Sequence, residues 1–75
     1  MRALIRRLKS GHFYAGEQRW TPRREKAFNF VTSFRALRFA GDNHLGGVEV
    51  VMTFGEPKYD LTLGSKLRLQ RPLSY

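Results

Sequence analysis

Seventy-five residues without a cysteine exclude a disulfide framework, a thiolate metal site and more than one domain. The formal charge of +8 is carried entirely by residues 1–40, where ten Lys or Arg face two acids; residues 41–75 hold four of each. Seven of the ten aromatic residues also lie in the first forty, and a basic, aromatic-rich stretch points to an anionic partner, nucleic acid first.

Residues 3–9 set Leu4, Ile5 and Leu8 among Arg6, Arg7 and Lys9. Neither period is clean, but Ser10-Gly11 and a second apolar run, His12 to Ala15, favour a strand pair with Ser10-Gly11 at its turn. Only Ala3, Leu4 and Ile5 separate Arg2 from Arg6-Arg7. A signal peptide needs an apolar core of roughly 7–15 residues and a spanning helix about 20, so neither is expected here. A small cysteine-free domain fits the cytoplasm.

Gly16 to Arg19 reads as a loop leading to Trp20. Thr21-Pro22 carries a helix-start signal, a capping hydroxyl before proline, with Arg23 to Lys26 completing one or two turns. Ala27 to Val31 alternates loosely and either re-enters the sheet or packs on it. Thr32-Ser33 starts the main helix, which runs to about His44 and stops at Gly46-Gly47 at the latest. Ala36, Leu37 and Ala40 share its inner face, flanked by Phe34 and Phe39, with Arg35, Arg38 and Asp42 opposite. Val48 to Phe54 is the clearest strand: Val48, Val50, Met52 and Phe54 point one way, Glu49, Val51 and Thr53 the other. After the Gly55-Glu56-Pro57 turn, Lys58 to Leu63 alternates again, and Lys66 to Arg71 sets Leu67 and Leu69 against Lys66, Arg68 and Gln70.

The expected order is β-β-(turn)-α-β-β in one α+β domain over residues 1–75. It consists of a mainly antiparallel sheet of three to five strands with one main helix on one face. Residues 66–75 form a last edge strand, a flexible end or an arm that pairs with a second copy.

Gly11, Tyr14, Trp20-Thr21, Ala27, Phe30, Ser33, Ala36, Leu45 and Val48-Glu49-Val50-Val51 together resemble a class of small uncharacterised bacterial and phage-borne proteins. Their shared pattern is a short strand, a glycine turn, a Trp-Thr pair, an Ala-x-x-Phe step, a helix and a Val-rich strand. The resemblance implies a ββαβ-type fold, and it implies no activity and no site residues. Residues 55–75 fall outside it.

The functional reading gathers Arg6, Arg7, Arg19, Arg23, Arg24, Arg35 and Arg38 as phosphate contacts, with Trp20 as a stacking platform for an unpaired base. Eight of the ten cations in this half are arginine, whose guanidinium binds phosphate bidentately and stacks on bases. The contact is made either by Arg35 and Arg38 on the helix or by the sheet face. The bland alternative makes these charges solvated surface and has Trp20 close the core. A rival assignment is a protein-interaction module, of phage or mobile-element origin, that binds an acidic protein. Tyr59, Leu61, Leu63, Leu67 and Leu69 mark residues 58–70 as a homodimer seam or as ordinary core.

No chemistry is expected. His12 and His44 lie far apart and lack metal-ligand spacing. The serines have no nucleophile motif around them, and Glu56 and Asp60 read as solvated turn acids. The expectation is therefore a non-enzymatic protein without catalytic residues, metal or cofactor and without a membrane partner.

Overall fold

A computed structural model describes residues 1–64. The expectations for residues 65–75, including the Lys66–Arg71 strand and the distal part of the dimer seam, lie outside the described residues.

The fold is α+β. Strands β1 (Arg2–Arg7), β2 (Phe13–Gly16), β3 (Arg19–Thr21), β4 (Val48–Thr53) and β5 (Leu61–Gly64) form one sheet in the order β3-β2-β1-β4-β5. Every neighbouring pair is antiparallel. Helix α1 (Ser33–Asp42) crosses one face between β3 and β4.

The element order differs from the expected one at β3. Arg19–Thr21 pair with β2 where a loop from Gly16 to Arg19 is expected, and the turn expected over Arg23 to Lys26 has Arg23 and not Thr21 at its cap position. The Thr21 hydroxyl accepts from the Arg23 N–H at 3.1 Å, and a single 3-10 turn (Arg24–Lys26) follows. The second correction is at Lys58. Pro57–Tyr59 is a 3-10 turn, and pairing begins only at Leu61.

β1 occupies the centre of the sheet and pairs with β4 along its whole length, from Arg2 opposite Thr53 to Arg7 opposite Val48. Both of its faces are covered, which is why Ala3, Leu4 and Ile5 are consecutive and all fully buried. Ala3 and Ile5 face α1 with Phe30, Ala36, Ala40, Val48, Val50 and Met52. Leu4 packs on the opposite face with Phe13, Ala27 and Val51. Burying a side chain of Leu, Ile or Val size contributes about 1.5–3 kcal/mol, so both faces matter to a domain this small.

The chain passes from one face to the other through a split between β1 and β2. Those strands pair only near Arg6 and Phe13. Beyond that point the extended segment 28–30 lies between them: the Phe28 N–H donates to the Tyr14 carbonyl and the Phe30 N–H to the Ala3 carbonyl, each at 2.8 Å. Asn29 secures the crossing, its Oδ1 accepting from the Ala3 N–H at 3.0 Å and the Val31 N–H at 2.8 Å. Val31 takes φ +73°, a left-handed conformation that is costly for a β-branched residue.

α1 begins where the sequence marks it. Thr32 caps it, with its hydroxyl accepting from the Arg35 N–H at 3.1 Å. Its last residue is Asp42 and Asn43 is the C-cap, close to the expected end at about His44. His44, at φ +53°, closes a Schellman motif in which the His44 N–H donates to the Gly41 carbonyl and the Leu45 N–H to the Ala40 carbonyl. That turn sends Leu45 back against the core.

Candidate nucleic-acid interface

The eight residues singled out in the sequence do not form one patch. Arg6 on β1 pairs with Glu49, directly opposite on β4, its Nε donating to Oε2 at 2.6 Å. Arg24 pairs with Asp60 at 2.8 Å, joining the 3-10 turn to the start of β5. All four side chains are at least two-thirds buried. Arg2, another cation of the basic half, donates to the carbonyls of Arg24 at 3.2 Å and Ala27 at 2.7 Å. These three arginines hold the face away from α1 together.

Arg19 and Arg38 make only exposed pairs, with Glu17 at 3.3 Å and Asp42 at 3.8 Å. Pairs of this kind contribute little and leave the cation open to a ligand. Arg7, Lys9, Arg23, Lys26 and Arg35 are exposed and pair with no acid among the described residues. Arg7 and Lys9 lie at the β1–β2 connection, Arg23 and Lys26 around the 3-10 turn, and Arg35 on the first turn of α1.

Trp20 is half-buried and packs against the core beside α1. It is also a support. The Arg7 guanidinium carbon stands 4.0 Å from the Trp20 ring centroid, a cation–π contact worth about 0.5–1 kcal/mol at an exposed site. Tyr14 meets Trp20 edge to face at 5.5 Å and also touches Phe39, Phe30 and Phe28. The rings form one continuous cluster from β3 to α1.

Between this cluster and the end of α1 lies a hollow of about 220 Å³, lined by Arg7, Tyr14, Gln18, Trp20, Phe39, Asn43 and Leu45. Its walls are fixed locally. Glu17 and Gln18, at φ +52° and +64°, make the two-residue turn that joins β2 to β3. The Gln18 N–H donates to the Tyr14 hydroxyl at 3.2 Å. Across the hollow, Asn43 Nδ2 donates to the Phe39 carbonyl at 2.9 Å, and the Schellman turn places Leu45. The five guanidinium N–H donors of Arg7 meet no acceptor among the described residues.

Two other hollows offer less. One beside α1 is lined by Phe34, Leu37, Arg38, Gly41 and Asp42, and its cation is next to its own acid. The other, at the start of β1, contains Arg2 and Arg24, both engaged with protein groups. Among the described residues, no three His, Asp or Glu side chains come together as metal ligands. No helix among them is long and apolar enough to cross a membrane.

Of the hollow's residues, the sequence pointed to Arg7 and Trp20 separately and missed Tyr14, Gln18, Phe39, Asn43 and Leu45 as lining. Alternation along β1 puts Arg7 on the same face as Ala3 and Ile5, and that alternation was the available signal. It becomes readable only once β3 is known to be a strand. No protein-family model, curated protein or solved structure matches this chain.

Proposed function

We propose that the protein is a non-enzymatic nucleic-acid-binding module that grips the phosphate backbone. The observation that carries this reading is the set of uncompensated cations. After the internal ion pairs are formed, Arg7, Lys9, Arg23, Lys26 and Arg35 stay exposed and without an acid among the described residues. Arg19 and Arg38 add two loosely paired guanidinium groups. Affinity for a polyanion then comes mainly from release of its condensed counterions, without reading of base sequence. A cytoplasmic location belongs to the same reading.

The test is titration of short DNA and RNA at roughly 50 and 200 mM salt. If all five unpaired cations meet phosphates, log affinity falls against log salt with a slope of about −3.5 to −4.5, a loss of about 100- to 500-fold over that range. Affinity that does not respond to salt, or no binding tighter than about millimolar at low salt, refutes the proposal. In that outcome an acidic protein becomes the partner to seek.

Self-association is a secondary reading, favoured by Tyr59 and Leu61, which are 59% and 58% exposed at the β5 edge of the sheet. A sedimentation mass that stays monomeric at high concentration removes it.

A further inference from the structure

Resting on the nucleic-acid reading, we propose that the hollow between the β2–β3 turn and the end of α1 receives one unpaired nucleobase. The protein thereby selects single strands over duplex.

Trp20 cannot serve as the bare platform expected from the sequence, because Arg7 covers a face of its ring at 4.0 Å. The stacking surface passes to the guanidinium itself. Its outer face is planar, and arginine planes stack on splayed-out bases much as aromatic rings do. The indole holds that plane in position, so less side-chain freedom is lost when a base arrives. Among the described residues the N–H edge of the same group meets no acceptor, which leaves it to the adjoining phosphate.

Size narrows the occupant. Sites for drug-sized molecules and cofactors span about 300–1,000 Å³. At about 220 Å³ the hollow suits one ring system and leaves sugar and phosphate outside, toward Arg7. The rim suits a base edge. Gln18 and Asn43 supply amide donors and acceptors, and with Asn43 Nδ2 turned to the Phe39 carbonyl its Oδ1 is left to accept. Tyr14, Phe39 and Leu45 line the apolar interior. A base paired in a duplex reaches such a hollow only by flipping out, at a cost of a few kcal/mol.

Trp20 is the sole tryptophan, so its fluorescence reports on the hollow directly. Four probes decide the matter: a single-stranded oligonucleotide of about a dozen residues, its duplex, an abasic strand of equal length, and poly-glutamate. The intact strand is expected to perturb Trp20 emission and to bind about 5- to 150-fold tighter than the abasic strand, the range for one stacked base. Arg7→Lys keeps the charge and loses the plane. Whatever it loses on the abasic strand, its preference for the intact strand over the abasic one should fall toward one. Arg35→Gln should weaken all three nucleic-acid probes by the same factor. Equal, salt-dependent affinity for intact and abasic strands overturns the base site while leaving phosphate binding in place. Absence of nucleic-acid binding overturns both, and poly-glutamate binding as tightly as the intact strand assigns the hollow to an acidic protein.

Discussion

On the face of the sheet away from α1, Arg2, Arg6 and Arg24 are bound to Ala27, Glu49 and Asp60 and are partly buried. On the helix side and around the rim, Arg7, Arg23 and Arg35 are exposed and have no acid beside them among the described residues. One residue type, dense in one stretch of sequence, thus does two jobs. Strand alternation assigns them within β1: Arg6 points to the face where Glu49 waits, and Arg7 points to Trp20. The difference teaches that a basic sequence is not yet a basic surface, since the cations left over after internal pairing set the field a ligand meets.

Four measurements can break or sharpen this contrast. The largest effect tests whether the arginine-clasped face has a core of its own. Leu4→Ala and Ile5→Ala remove fully buried side chains on opposite faces, and each should cost about 2–5 kcal/mol in urea unfolding. In a domain this small that corresponds to a drop of about 10 °C or more in Tm. A Leu4→Ala loss below about 1 kcal/mol would show that only the helix side is a true core. Arg24→Gln comes next. It leaves the mostly buried Asp60 carboxylate unpaired and should cost about 1–3 kcal/mol, while affinity for an abasic strand stays at the parent value. A large loss of affinity would move Arg24 from the structural set to the binding set.

Val31→Gly should raise stability by about 1 kcal/mol, because glycine relieves the left-handed strain at the face-to-face crossing and offsets its own entropy cost. A destabilised variant would mean that Val31 packs more than its half-exposed position indicates. The smallest effect belongs to Arg38→Ala. Its pair with Asp42 at 3.8 Å is solvated, and unfolding should move by no more than about 0.5 kcal/mol.

α1 and β4 were legible in the sequence because each carries a self-contained signal. Thr32 caps the helix, Ala36 and Ala40 repeat on its inner face, and Val48 to Thr53 is a Val-rich run broken only by Glu49 before Thr53 and bounded by Gly46-Gly47 and Gly55. β1 was legible only as a strand of poor periodicity. A central strand covered on both sides has no polar face to alternate with, so Leu4 and Ile5 stand together. β3 was missed for two reasons. It has three residues, and its turn uses Glu17-Gln18 at positive φ in place of the glycine or asparagine that normally marks such turns. The candidate site was legible as residue types and not as a place. Arg6 and Glu49 are 43 positions apart, and Arg24 and Asp60 are 36 apart. No local pattern shows which cations such distant pairs remove.

The split between β1 and β2 gives the sheet a timetable. β1 finds β2 within a few residues, but its longer partner is β4, up to 51 positions further along between Arg2 and Thr53. During synthesis at about 5–20 residues per second, the central strand therefore waits roughly 2–10 s with one edge open. Over that interval the segment 28–30 can already dock beside Ala3, on the edge that faces β2. The wedge that looks like an irregularity in the finished sheet thus completes the near edge of its most apolar strand while the far edge still waits for β4.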